Sequence, residues 1–145
     1  MVLPDVNVLV YAHRADTPRH REYRSWLLEL TNGNEAFGLS DQVLSGFLRV
    51  VTHPRVFADP SPLEYAVRFA EQLRGAANRV EIAPGARHWE IFLRLCRDAG
   101  ARGNLVPDAW LAALAIESGS EWITTDRDYA RFPGLRWRHP LAASK

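Results

Sequence analysis

A three-layer α/β sandwich around a central parallel sheet is the fold class this sequence predicts, and three observations point to it. Short apolar segments alternate with amphipathic helical ones along the whole chain. The opening segment, Val2 and Leu3, then Asp5, then Val6, Val8, Leu9 and Val10, is apolar without polar alternation, as a strand covered on both faces is. The segments between strands are long enough to carry helices, which parallel pairing requires.

In order, the opening run predicts the central strand. Tyr23, Trp26, Leu27 and Leu30 follow at helical spacing, and Asn32, Gly33 and Asn34 end that helix with residues that tolerate positive φ. Ala36 to Leu39 is a short apolar stretch. Ser40 N-caps a second helix with the apolar stripe Val43, Leu44, Phe47, Leu48 and Val51, stopped by His53 and Pro54. Ser61 and Pro62, as cap and first-turn proline, start a third helix that buries Ala66, Phe69, Ala70 and Leu73, with Gly75 and Asn78 near its end. Val80 to Ala83 predicts a strand. Trp89, Phe92, Leu93 and Cys96 mark a helix ending near Gly100, and a glycine-bearing loop runs on to Asn104. Pro107 and Asp108 introduce a helix from Ala109 to Ser118, and Glu121 to Thr124 is a short strand leading into Thr125 and Asp126.

The 145 residues suit one domain spanning 1–145, large enough to bury roughly 70% of its unfolded surface. A content of 47% apolar and 24% charged residues excludes a disordered or collagen-like chain. Cys96 is the only cysteine, and no charged-then-apolar leader follows Met1, so the expected compartment is a reducing cytoplasm. No apolar run reaches the roughly 18 residues of a membrane span, so no membrane partner is expected. Net charge is +1, but 17 of the 18 basic residues are arginine, the side chain suited to bidentate phosphate contacts.

In open parallel sheets, ligands bind beyond the carboxyl ends of the strands. Asp5 and Asp126 follow strands there, and Asp108 begins the helix before the last strand. Each alone has a structural use: an Asx-turn, a turn opening or a helix cap. Together they converge on one end of one sheet, and three crowded carboxylates with no lysine partner call for a cation. Oxygen-only ligands suit Mg²⁺ or Mn²⁺, with metal–oxygen distances of about 2.0–2.1 Å for Mg²⁺. Other carboxylate chemistries fit less well. A receiver-type phosphoacceptor needs a lysine near its last strand, and the only lysine is Lys145; a haloacid-type phosphatase needs an Asp where Asn7 stands. Neither GxxxxGK[ST] nor GxGxxG occurs.

Four stretches carry a resemblance to a known family: PDVNVLVYAHR (Pro4–Arg14), LSDQVLSGFLRVVTHPRVF (Leu39–Phe57), PDAWLAALAIESG (Pro107–Gly119) and ITTDRDYARF (Ile123–Phe132). In this order and spacing they resemble the PIN-domain ribonucleases and, among them, the VapC-type toxins of toxin–antitoxin pairs. The resemblance implies a PIN-like fold and a Mg²⁺-dependent (or Mn²⁺-dependent) endoribonuclease toxin. It implies Asp5, Asp108 and Asp126 as catalytic and metal-binding acids, Asp128 as an auxiliary metal ligand, and Asn7 and Thr125 as supports. The partners it implies are an RNA substrate, a cognate antitoxin protein whose tail enters the cleft, and a second copy in a homodimer. Phe47, Val51, Tyr65 and Phe69 are candidate anchors for a hydrophobic antitoxin helix.

Arg14, Arg49 and Arg127 sit beside motif residues and are the candidate phosphate contacts. One position departs from the family, which carries a glutamate in the helix after the second strand, where VLSGFLRVV has Gly46. Glycine inside a helix costs about 1 kcal/mol relative to alanine, so it serves either close packing or room for substrate. On a helical wheel it shares a side with Gln42 and Arg49, facing the cleft. With three acids instead of four, the expectation is one firmly bound ion, a second being recruited by substrate phosphate. Gly46 also motivates the alternative of a catalytically weak module that binds RNA or a protein partner. His13, His20 and His53 lack metal-ligand spacing and read as surface or turn residues. The five tryptophans read first as core, with an exposed one able to stack on a base.

Overall fold

The computed structural model describes residues 1–142. In chain order its elements are β1 (Val2–Pro4), α1 (Val6–His13), α2 (His20–Asn32), β2 (Phe37–Leu39), α3 (Asp41–Val51), α4 (Leu63–Arg74), β3 (Arg79–Glu81), α5 (His88–Ala99), α6 (Leu105–Glu117), β4 (Glu121–Ile123), a 3₁₀ turn (Arg127–Arg131) and β5 (Trp137–Arg138). The strands form one sheet in the order β3-β2-β1-β4-β5. Every pairing is parallel, with Val2 opposite Phe37 and Leu3 opposite Trp122. The chain leaves the middle strand in one direction for β2 and β3, then returns past β1 to β4 and β5. Right-handed crossovers therefore put the first helices and the α5–α6 pair on opposite faces, giving the three layers expected. No described helix is long and apolar enough to cross a membrane.

The opening run is where expectation and structure part. Only Val2–Pro4 is strand; Val6 to His13 is helix. Asp5 makes the switch, since it is extended and its carboxylate accepts the Val6 N–H at 2.6 Å, capping α1. The helix lies against both α2 and α3, with Val8 and Leu9 fully buried. A helix buried over most of its surface shows little polar alternation, and periodicity alone cannot tell it from a buried strand.

Smaller differences have similar local causes. Gly33, after α2, has φ −80° and ψ 178°, so the chain leaves extended and no left-handed residue is used. The loose carbonyls there are met from afar, as the Asn78 amide donates to Leu30 O and Glu35 O. Ser61 does not cap α4; its hydroxyl lies 3.0 Å from His13 Nε2 and accepts from Arg14 at 3.2 Å. The helix carrying Asp108 starts at Leu105, so Asp108 lies within its first turn and caps nothing. The two-residue β5 is too short to be read from its pattern. Ser40 does cap α3, accepting from Gln42 N, and Gly100 ends α5 with φ +58°.

The core is built from Leu3, Phe37, Leu39, Trp122 and Ile123 of the strands with Leu9, Phe47, Val51, Leu95 and Leu114 of the helices. Ala109, Ala112, Ala113 and Ala115 of α6 are all fully buried, and side chains this small let α6 sit close to β4. Phe47 and Val51 are fully buried and so are not antitoxin anchors; Phe69 is half-buried, and only Tyr65 of that set is well exposed. Of the tryptophans, Trp122 is core and Trp89 is 58% exposed.

Candidate active site

In the order β3-β2-β1-β4-β5 the direction in which successive strands are added reverses at β1 and β4, and a crevice forms at the carboxyl ends of these two parallel strands. Asp5 directly follows β1, and Thr124, Thr125 and Asp126 follow β4. A cavity of about 690 Å³ opens there, lined at one end by Asp5, Asn7, Asp108, Asp126 and Tyr129. Gln42, Ser45, Gly46 and Arg49 of α3 line it as well, with Tyr11, Val56 and Phe57.

Asp5 is only 5% exposed. One of its oxygens accepts from Val6 N, and the other accepts from the Thr124 hydroxyl at 2.6 Å and the Asn7 amide at 3.3 Å. That occupies three of the roughly four acceptor positions of a carboxylate. Asn7 also donates to Thr124 Oγ1 and accepts from Thr125 N, which ties α1 to the end of β4. The Asp126 N–H donates to Thr124 Oγ1, and Asp126 Oδ1 accepts from Asp128 N, capping the 3₁₀ turn. Asp108 accepts at 3.3 Å from the hydroxyl of Tyr129, which is itself buried against Trp122 and Phe132.

Among the described residues none of Asp5, Asp108 and Asp126 makes a salt bridge. Burial first, opposed by the bonds from Thr124 and Val6 and reinforced by Asp108 and Asp126, lifts the Asp5 carboxyl to about 6. Asp108 is raised as well, by burial and then by Asp126. The Tyr129 hydroxyl is pushed far up by burial, then by Asp5 and Asp108, and so stays a donor. This is an all-oxygen, electron-rich set whose negative charge lacks a protein counter-charge, and it fits a hard divalent cation. The carboxylates surround one cavity without closing into a cage: among the described residues no three His, Cys, Asp or Glu side chains already form a metal site.

A pH dependence follows. Asp5 binds its proton more tightly folded than unfolded, so the stability this adds is complete at low pH. It is lost as pH rises from about 3.8 to about 6, the range between its ordinary and folded values. Two pKa units correspond to about 3 kcal/mol. In chelator, wild type should lose about that much between pH 4 and pH 7 relative to Asp5→Asn, read from urea melts. His13, pushed down to about 4 chiefly by burial, acts with opposite sign but is common to both proteins. A pH-independent difference between them would contradict the burial of Asp5.

The PIN-domain family profile matches residues 2–135 of this chain. The chain belongs to the PIN-domain family. Ribonuclease VapC43 of Mycobacterium tuberculosis is 49% identical over 141 residues, 97% of this chain and 96% of that protein. Ribonuclease VapC25 of the same organism is 40% identical over 140 residues, covering 97% and 99%. In fold, the PIN domain here resembles VapBC2 from Rickettsia felis, solved bound to a promoter DNA fragment, with TM-score 0.68 at 19% identity and coverage of 96% and 98%.

Not every residue singled out in this PIN domain meets in the cavity. Asp5, Asn7, Asp108, Asp126 and Arg49 line it. Asp128 is exposed outside it, although its charge reaches Asp108. The hydroxyl supporting Asp5 comes from Thr124, not Thr125; the two sit side by side, and only the burial of Thr124 separates them. Tyr129 was missed as a site residue because a buried tyrosine reads as core. Arg14 is bound to Asp16 through Nε and Nη2, one edge of its guanidinium, at 2.9 and 2.6 Å, and lies 4.1 Å over the Phe57 ring. Arg127 lines a different hollow. His13 is buried among Phe47, Tyr65 and Phe69, against the surface role expected, whereas His53 serves a turn by accepting from Arg55 N.

Gly46 faces the cavity beside Gln42 and Arg49, and it also touches α1: a Cβ there would stand 2.9 Å from Val6 Cγ2, closer than real contacts allow. The glycine therefore lets α3 approach α1. Gly46→Ala should lose about 1 kcal/mol, since overpacking of about 1–3 kcal/mol exceeds the gain in helix propensity of about 1 kcal/mol. In a Val6→Ala background the same change should be neutral or stabilising. Urea melts of the four proteins measure the coupling, and additive effects would remove the contact as the reason for glycine.

Proposed function

We propose that the protein is a divalent-metal-dependent endoribonuclease, the toxin of a type II toxin–antitoxin pair, and that Asp5, Asp108 and Asp126 hold its cation. The observation that carries this reading is the unneutralised carboxylate set at the crossover point of the sheet in a PIN domain. The names of its VapC ribonuclease relatives support the reaction, and the likeness in fold to VapBC2 supports the antitoxin partner. Mg²⁺ is the ion favoured by small, oxygen-only ligation, with Mn²⁺ the alternative. A homodimer is proposed on the family resemblance.

A divalent cation held there would supply Lewis acidity, drawing charge from a phosphodiester oxygen and making water acidic enough to attack phosphorus. The chain's own groups arrange the rest. Asp5 is held by Val6 N, Thr124 and Asn7, so its carboxylate needs no reorganisation when a cation arrives. Thr124 couples Asp5 to Asp126 through one hydroxyl, and Tyr129 steadies Asp108. Arg49, in the lining of the same cavity, can meet the substrate phosphate. The non-cutting alternative drew on the missing glutamate, and the contact of Gly46 with Val6 gives that glycine a packing reason of its own. Cleavage mapping of total RNA by purified protein, with Mg²⁺ and with chelator, tests the proposal; absence of metal-dependent cleavage would refute it.

A further inference from the structure

Beside the acidic cavity lies a second hollow of about 450 Å³, lined by Arg19, Thr125, Arg127, Trp137, Arg138 and His139 among others. The two share a wall. Along the turn after β4, Asp126 faces the acidic cavity while its neighbours Thr125 and Arg127 face the hollow. The hollow's make-up is the reverse of the cavity's, with three arginines and a half-buried tryptophan and, among the described residues, no carboxylate in its lining.

Two of the three arginines are partly committed, Arg19 to Glu22 at 2.8 Å and Arg138 to Glu121 at 2.9 Å, and the side chains of these pairs are between about a third and just over half exposed. No salt bridge includes Arg127 among the described residues. His139 is engaged on both ring nitrogens, Nδ1 accepting from Leu141 N and Nε2 facing the Tyr23 hydroxyl at 3.2 Å, and burial, then Arg19 and Arg127, press its pKa down. The arginines therefore carry the positive charge, and Trp137 offers a ring beside them.

We propose that this hollow is a second RNA subsite, in which Arg127, with Arg138, holds a backbone phosphate of the strand while the neighbouring phosphodiester lies across the turn in the acidic cavity. The proposal rests on the nuclease reading and deepens it. A polyanion meeting only the acidic cavity is repelled by Asp5, Asp108 and Asp126 until a cation is bound, whereas a guanidinium one residue from Asp126 attracts it independently of the cation. An acidic peptide is the other polyanion that fits three arginines. Trp137 and the shared wall favour nucleic acid, because a ring beside a phosphate contact is how sequence-tolerant single-strand sites are built.

The experiment is fluorescence anisotropy with a labelled single-stranded oligoribonucleotide in chelator, where no cutting occurs, at several salt concentrations. A phosphate contact on single strands adds about 0.7 to the slope of log K against log salt, and so about fivefold in affinity at 0.1 M salt. Arg127→Ala should lower the slope by about that amount and weaken binding about fivefold, and Arg127→Glu should weaken it further. Arg94→Ala, an exposed α5 arginine in neither lining, makes the same charge change and should do neither. Equal losses in the Arg127 and Arg94 variants would reduce the effect to net charge and overturn the subsite. Unchanged RNA binding by Arg127→Ala would overturn it while leaving metal-dependent cleavage standing, and if the same variant bound an acidic peptide less well the hollow would be a protein contact. Wild type that neither binds nor cuts RNA would refute both the subsite and the nuclease reading.

Discussion

Asp108→Asn should abolish metal-dependent RNA cleavage while leaving the protein's melting temperature in chelator unchanged or higher. The side chain keeps its shape, and its oxygen can still accept from Tyr129 at the 3.3 Å position. What it loses is a charge that burial and Asp126 already make costly. Removing that charge relieves repulsion in the metal-free fold and removes a ligand from the loaded one. Loss of a group that merely supports a metal ligand costs 10–100-fold, so loss of the ligand itself should exceed about 100-fold. By linkage, Mg²⁺ should raise the wild-type melting temperature more than that of the variant. A cleavage assay beside paired thermal melts decides. Equal stabilisation of both proteins by Mg²⁺ would remove Asp108 from the metal site whatever the cleavage result.

The largest effect on stability is expected at Thr124, which is fully buried and whose hydroxyl joins three partners. It donates to Asp5 at 2.6 Å and accepts from Asp126 N at 3.1 Å and from Asn7 at 3.3 Å. Thr124→Val keeps the volume but removes all three bonds, leaving Asp126 N–H without a partner and Asp5 with only Val6 N and Asn7. An unmet buried polar group costs about 1–3 kcal/mol, so a total on the order of 3 kcal/mol is expected, allowing for relaxation of Asn7. For a protein of this size that is a fall of roughly 6–12 °C in melting temperature. Thr124→Ser should recover most of it, since the hydroxyl and not the methyl does the joining. A Val variant as stable as wild type would mean that Asp5 is held by Val6 N and Asn7 alone.

The layered parallel architecture was readable because helical stripes such as Val43, Leu44, Phe47 and Val51 of α3 carry their period in the sequence and are buried on the face it implies. The opening run was not, because α1 packs against both α2 and α3, and burial on two sides weakens the contrast between faces that periodicity reads. At the site, Asp5 and Asp126 stood out as acids at strand ends, and that is where the structure has them. The hydroxyls of Thr124 and Tyr129 did not. A threonine at a strand end and a tyrosine near tryptophan and phenylalanine have ordinary structural uses, and their bonds to Asp5 and Asp108 span 119 and 21 residues. Gly46 could be read as packing or as space for substrate, and only the nearness of Val6 shows that one residue serves α1 while lining the cavity.

The central strand comes from the very start of the chain and its neighbour β4 from residues 121–123, with Asp5 N bonded to Ile123 O across the gap. This pairing has a consequence for biosynthesis. A chain emerging from the ribosome can form α2, α3 and α4 early, but β1 keeps one edge unpaired until β4 arrives, and Asp5 has neither Thr124 nor Asp126 beside it. The acidic cavity therefore cannot exist on a nascent chain that has not yet reached Thr124 and Asp126. Products terminated between Asp5 and Asp108 carry the first acid without the others, and a cell translating this message meets the complete carboxylate set only once Asp126 has been added.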